Sequence, residues 1–127
     1  MKRILVDSSV WISYFKDKSA HQIMDEFISN NQICINNLIL SELVPFLQIK
    51  KEKKVIELLL EIENVQLRID WEYIIQLQIQ NLNNGIYKVG IPDLIIIDNV
   101  IHNNLILFTE DKHFKLMHEY LNFELIQ

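Results

Sequence analysis

The sequence has little of what marks a secreted, membrane-bound or multidomain protein. Its 127 residues include one cysteine, two glycines and two prolines. A lone cysteine cannot form an internal disulfide, and Cys34, between Ile33 and Ile35, is expected to be a small buried hydrophobe. No apolar run approaches a membrane span or a signal-peptide core. We therefore expect an unprocessed, soluble protein with no membrane contact, located in the reducing cytoplasm.

Basic residues are also scarce, with 12 Lys and Arg against 17 Asp and Glu and a formal net charge of −5. Because non-specific affinity for nucleic acid comes from clustered cations, this composition argues against a passive nucleic-acid binder. It does not exclude an enzyme whose acidic centre is neutralised by bound cations. The basic run of Lys50, Lys51, Lys53 and Lys54 has two interpretations, contact with an RNA backbone or, more commonly for such runs, a solvated helix junction.

What the sequence does contain is a series of short apolar segments separated by helical patterns. With no linker or repeat, one domain is expected over residues 1–127. Strands are predicted at 3–6, 32–36, 65–68 and 105–108, with a further strand at 123–126. Helices are predicted at 10–29 in two pieces, 38–47, 53–63, 70–84, 93–103 and 112–120. This alternation predicts a three-layer α/β/α sandwich around a parallel sheet of four to five strands.

Helix boundaries carry their own residue signals. Asn37 and Asp70 are expected N-caps, and Pro92 is expected at the start of a helix, where its missing N–H has no consequence. Pro45 lies inside a helical pattern and predicts a late start or a kink near residues 41–45.

Four acids are expected at one edge of this sheet. Asp7 ends the first strand and Asp111 follows the fourth, so right-handed crossovers bring both to the same side. Asp93 lies in the first turn of its helix and Glu42 in the first half of another. Each acid alone could be an ordinary structural residue, but clustered carboxylates are best tolerated around a divalent cation. Oxygen donors without His or Cys suit Mg²⁺ or Mn²⁺ rather than zinc.

Several motifs resemble those of PIN-domain ribonucleases, especially the VapC-type toxins of toxin–antitoxin modules. The opening segment ILVDSSVWISYF at residues 4–15 resembles the start of that family. Further similarity lies in SEL at 41–43, PDLII at 92–96 and LFTEDKHF at 107–114. Order, spacing and length match over essentially the whole chain.

The resemblance implies a Mg²⁺- or Mn²⁺-dependent endoribonuclease that uses water and no covalent nucleophile. Its acidic metal site would consist of Asp7, Glu42, Asp93 and Asp111. Asp7 and Asp93 would be the direct ligands. Hydroxyl groups at Ser9 and Thr109 match positions that support the acids. The family also implies a homodimer and a cognate antitoxin protein that blocks the acidic cleft.

Some positions depart from the family pattern or fall outside it. Ile96, Ile97 and Asp98 stand where small residues often follow the third acid, and Asp98 is expected to be a solvated or structural carboxylate. Glu110 is expected to be peripheral. His113 is interpreted as a surface or packing residue, and no histidine is assigned a catalytic role.

Three alternatives stay open. A receiver-like α/β module also gathers acids at strand ends, but the chain lacks an acceptor Asp directly after a third strand and a Lys after a fifth. A PIN fold without activity would be a binding protein, which the presence of all four acids opposes. A housekeeping RNA-processing nuclease has the same site as a toxin; a small upstream gene for a DNA-binding antitoxin would separate the two.

Overall fold

The computed structural model describes residues 2–127 of the chain. Within that range the elements follow in the order β1 (Ile4–Val6), α1 (Ser8–Lys16), a 3₁₀ turn (Lys18–His21), α2 (Gln22–Ser29), β2 (Ile33–Ile35), α3 (Asn37–Ile49), α4 (Lys53–Glu61), β3 (Glu63–Asn64), α5 (Trp71–Asn83), α6 (Ile91–His102), β4 (Ile106–Phe108), α7 (Lys112–His118) and β5 (Glu124–Ile126). None of the helices in residues 2–127 combines the length and hydropathy needed to cross a lipid bilayer.

The five strands form one parallel sheet in the order β3-β2-β1-β4-β5. Ile4 in β1 lies opposite Ile33 in β2 on one side and Ile106 in β4 on the other. The chain moves outward from β1 to β3 and then returns to β4, so the order reverses between β1 and β4. Right-handed crossovers place α1 to α4 on one face of the sheet and α5 to α7 on the other. The predicted α/β sandwich is confirmed.

The centre of the sheet is apolar on both faces because helices cover both. All three residues of β1 and of β2 are buried, and Leu107 and Phe108 in β4 are buried with them. Cys34 is fully buried. This burial raises the pKa of its thiol to about 12, as expected for a side chain that acts as a hydrophobe.

The third strand lies two residues earlier than the predicted 65–68. The structure has β3 at Glu63–Asn64, and both residues are exposed. Because β3 is an edge strand, it needs no apolar sequence, and Glu63 instead forms an ion pair with Arg3 at 3.0 Å. Val65 adds one more sheet bond, from its N–H to the Ile35 carbonyl at 2.7 Å. The apolar residues that follow pack outside the sheet.

Helix α3 departs from two expectations at its start. The N-cap is Asn36 rather than Asn37, since the Asn36 side chain accepts a hydrogen bond from the Ile39 N–H at 2.9 Å. The helix also begins at Asn37, so of the late start or kink predicted from Pro45 the late start is wrong. Pro45 is exposed, and the carbonyl that its missing N–H leaves free can therefore meet water.

Asp98 is structural and not solvated, with 2% of its surface exposed. One carboxylate oxygen accepts a hydrogen bond from the N–H of Asp70, the residue that caps α5, at 3.2 Å. The other lies against Nδ1 of His102, one turn further along α6. Asp98 therefore joins α6 to the start of α5, which explains why a carboxylate stands where a small residue was expected.

Candidate metal centre

Asp7 lies at the end of β1 and is almost completely buried. Its Oδ2 accepts hydrogen bonds from the hydroxyls of Ser9, at 2.8 Å, and of Thr109, at 2.9 Å. Within residues 2–127 its Oδ1 accepts none. Two hydroxyl donors thus fix the orientation of the carboxylate and leave one oxygen available to a ligand. The hydroxyls of Ser9 and Thr109 thus both contact this carboxylate directly.

Thr109 joins Asp7 to the fourth acid. Its hydroxyl, which donates to Asp7, also accepts a hydrogen bond from the N–H of Asp111 at 3.0 Å. Asp111 is the N-cap of α7, and its Oδ1 accepts from the N–H of His113 at 2.9 Å. The ends of β1 and β4 therefore hold two carboxylates through one buried hydroxyl.

Asp93 enters the same region from the first turn of α6. Burial, followed by the negative charges of Asp111 and Asp7, raises the pKa of Asp93 from 3.8 to about 6. His113 acts in the opposite direction. The raised pKa reflects the proximity of these carboxyl groups, which topology brings together from three separate parts of the chain.

Glu42 approaches from α3, on the other side of the sheet. Desolvation of its carboxyl group and then the charge of Asp7 raise its pKa, with a smaller contribution from Asp93. The residue as a whole remains exposed. Glu42 therefore lies at the rim of the cluster, with its carboxyl group inside the field of the other acids.

The acids have no Lys or Arg ion-pair partner among residues 2–127. The nitrogen-bearing side chain that does enter the cluster, His113, is one the sequence interpretation missed. Nδ1 of His113 lies 3.3 Å from Oδ1 of Asp111. One ligand atom each from Asp93, Asp111 and His113 lie within 4.8 Å of one another. The residue spacing did not predict the contact between Asp111 and His113, because Asp111 precedes the helix and helical periodicity does not relate the two residues.

Comparison with known proteins identifies the family. The PIN domain profile matches residues 4–119. The chain belongs to the PIN-domain family. This assignment excludes the receiver-like alternative, and the motifs at both ends of the PIN domain are the segments that carry Asp7 and Asp111.

Solved structures share the fold of this PIN domain. A DNA-bound VapBC from Salmonella typhimurium matches with a TM-score of 0.77 and 18% identity, covering 99% of this chain and 98% of the other. VapBC2 from Rickettsia felis, bound to a promoter DNA fragment, has a TM-score of 0.74 and 19% identity, covering 97% of this chain and 96% of the other. VapBC-1 from nontypeable Haemophilus influenzae has a TM-score of 0.73 and 18% identity, with the same coverage of 97% and 96%. A search of curated proteins gives no significant match.

The donor set of the PIN domain fits a divalent cation. The pKa values of Glu42 and Asp93 are raised by burial and then by the charges of neighbouring acids, and the acids have no Lys or Arg partner in residues 2–127. A small hard cation would neutralise such a site. Asp7, Asp93 and Asp111 each offer oxygen ligands, and His113 adds a nitrogen.

Proposed function

We propose that this PIN domain is a Mg²⁺- or Mn²⁺-dependent endoribonuclease that acts as the toxin of a toxin–antitoxin module. The observation that carries the proposal is the cluster of Asp7, Glu42, Asp93 and Asp111 at the carboxyl edge of the sheet. Burial and, after it, the charges of neighbouring acids raise the pKa values of Glu42 and Asp93, and both effects disfavour the cation-free ionised cluster.

In the proposed reaction Asp7 and Asp93 would hold the cation, and Glu42 and Asp111 would complete the site directly or through water. A bound divalent cation acidifies water and stabilises negative charge on phosphate oxygens. Oxygen from water bonds to phosphorus, the bond from phosphorus to the 3′ oxygen breaks, and that oxygen takes up a proton. The products carry a 5′-phosphate and a 3′-hydroxyl.

A covalent nucleophile from the protein is not part of this mechanism. The hydroxyls of Ser9 and Thr109 both donate to Asp7 and are engaged in holding its carboxylate. The thiol of Cys34 is fully buried inside the sheet, and its raised pKa keeps it protonated. Water is therefore the nucleophile that the local chemistry favours.

The test is cleavage of RNA by purified Asp7→Asn protein with added Mg²⁺ or Mn²⁺. We expect no cleavage above background, because the substitution removes the charge of a direct ligand. Asp70→Asn is the matched control, since Asp70 caps α5 through its side chain and Asn caps helices equally well. Wild-type cleavage by the Asp7 variant would contradict the assignment, provided that both variants fold as judged by circular dichroism.

Exposed apolar side chains support the partner part of the proposal, a homodimer and a bound antitoxin. On α5, four large hydrophobic residues at spacings of four, four and three form one exposed stripe: Trp71, Ile75, Ile79 and Leu82. Further exposed apolar residues lie on α2 and α4, at Ile23, Ile28, Leu58 and Leu60. Such surface normally indicates protein contacts. Three of the structures of similar fold are VapBC assemblies, and we propose an antitoxin of the VapB kind here.

The partners can be tested by light scattering of the purified chain and by co-purification. We expect a dimer, and a stable complex with the product of a small gene immediately upstream. The absence of both would favour the housekeeping alternative, in which an RNA-processing PIN nuclease works without an antitoxin.

The basic run has a separate test. All four lysines are exposed: Lys50 and Lys51 follow the end of α3, and Lys53 and Lys54 begin α4. The Lys50 ammonium group lies over the ring of Phe46. If these lysines contact RNA, changing all four to Ser should reduce the steepness with which the RNA-binding constant falls as the salt concentration rises. An unchanged slope would assign the run to a solvated helix junction.

A further inference from the structure

The imidazole of His113 lies within the acidic cluster, although the proposed function assigns it no role. Its Nδ1 lies 3.3 Å from Oδ1 of Asp111, and its side chain is about three-quarters buried, with 28% exposed. A carboxylate oxygen of Asp93 lies within 4.8 Å of the same imidazole and of Asp111. These three residues come from two helices on the same face of the sheet.

Local structure holds the ring in this place. The backbone N–H of His113 donates to Oδ1 of Asp111, so the residue is tied to the helix cap. The next residue, Phe114, is fully buried and anchors the first turn of α7 in the core. The backbone of His113 is therefore fixed next to Asp111. Oδ2 of Asp111 accepts no hydrogen bond from residues 2–127 and is free for a ligand.

The spacing suits coordination of a single ion. With bonds of roughly 2.0 to 2.4 Å, adjacent ligands around a metal are about 3 Å apart, and opposite ligands are a little more than 4 Å apart. The ligand atoms of Asp93, Asp111 and His113 fall in or just outside that range without any movement of the backbone.

We propose that His113 is a nitrogen ligand of the metal site, with Asp93 and Asp111, and that it biases this site towards Mn²⁺ over Mg²⁺. The proposal rests on the proposed function in taking a divalent cation as the occupant. Mg²⁺ is a hard ion that favours oxygen and water, whereas imidazole favours transition metals. A site with one imidazole therefore gains affinity for Mn²⁺ that an all-carboxylate site does not have.

A different role for the same ring predicts the opposite outcome. If His113 is only a charged counter-ion for Asp93 and Asp111, it competes with the metal for the same carboxylates. Its removal would then strengthen the binding of Mn²⁺ and Mg²⁺ alike. The ligand role predicts weaker Mn²⁺ binding and a smaller change for Mg²⁺.

The direct test is pulsed electron paramagnetic resonance of Mn²⁺ added to the full-length protein. We expect modulation from a coordinated ¹⁴N nucleus in the wild type and none in His113→Gln. Calorimetry should show that the substitution weakens Mn²⁺ binding by roughly tenfold or more, as typical for altered metal sites. Mg²⁺ binding should change less than about threefold. His118→Gln is the control, because His118 is exposed at the end of the same helix.

Nitrogen modulation absent from the wild type, or Mn²⁺ binding unchanged or tighter in His113→Gln, would overturn the proposal. His113→Asn provides a second variant if the Gln variant is poorly folded by circular dichroism. Because binding is measured without RNA, the outcome is independent of cleavage. Nitrogen coordination without any RNA cleavage would refute the nuclease proposal and leave the ligand assignment intact.

Discussion

Replacing Asp93 with Asn should make the metal-free protein more stable at neutral pH while removing part of its metal site. Burial and the charges of Asp111 and Asp7 raise the pKa of Asp93 from 3.8 to about 6. The folded state therefore binds this proton more tightly than the unfolded state does. Between pH 4 and pH 6 the unfolded carboxyl ionises first, so stability falls as the pH rises, and above this window the whole penalty is present.

The size of the effect follows from the shift. A pKa unit corresponds to about 1.4 kcal/mol, so a shift of roughly two units sets an upper limit of about 3 kcal/mol. Asp93 is only partly buried, and solvent screening reduces that figure. The Asn variant also loses a favourable interaction with the α6 dipole, about 0.3 to 1 kcal/mol. We therefore expect a net gain of roughly 1 to 2 kcal/mol above neutral pH.

The assay is urea unfolding of the wild type and of Asp93→Asn in a chelator, from about pH 4 to pH 8. The two proteins should converge at the acidic end, where Asp93 is protonated and uncharged, and diverge as the pH rises. Glu72→Gln is the control, because Glu72 lies exposed in the first turn of α5 and its substitution tests the dipole loss alone. Added Mn²⁺ should reverse the order, since the wild type gains stability by binding it.

A variant that is less stable than the wild type at pH 8 without metal would refute this reasoning. It would mean that the Asp93 carboxylate is stabilised by its surroundings, and that the cluster needs no cation. A stability difference independent of pH would assign the effect to packing of the amide rather than to charge.

Further substitutions test the contacts around the site. Thr109→Val should lower the free energy of unfolding by about 2 to 3 kcal/mol, because Asp7 loses a donor, and Thr109→Ser should recover most of it; equal losses would implicate the methyl group. Asp98→Ala should lower it by about 2 to 4 kcal/mol, as the Asp70 N–H loses its acceptor, and a loss below about 0.5 kcal/mol by urea unfolding would contradict this. Gly85→Ala should lower the free energy of unfolding by about 1 kcal/mol, because Gly85 has a φ of +73° that a Cβ disfavours. Gly85→Asn should lower it by less, and equal losses for the two variants would exclude backbone strain as the cause.

The parts of the fold that could be predicted are those where burial and topology dictate the sequence. Residues 4–6 and 106–108 had to be apolar because helices cover both faces, and their strand direction brought Asp7 and Asp111 to one edge. Strand β3 could not be predicted, because an edge strand tolerates Glu63 and Asn64, and the apolar residues beyond it gave a false signal.

The side chains that the sequence interpretation misjudged owe their positions to tertiary contacts. Asp98 is buried beside the backbone N–H of Asp70, 28 residues earlier in the chain, and no local pattern records that contact. His113 enters the acidic cluster because Asp111 is a helix cap and not a helical residue. Both depend on how two helices meet, which a single sequence does not show.

The same helix ends explain how the acids coexist before a cation binds. Asp7 is the N-cap of α1 and Asp111 that of α7, while Asp93 lies in the first turn of α6. At each position the partial positive charge of the helix N-terminus favours a carboxylate. Glu42 lies in the interior of α3, without that compensation, and its pKa is raised, as is that of Asp93 in spite of its helix end. The helix termini thus reduce the cost of the cluster without removing it, and the remaining repulsion is what a divalent cation would relieve.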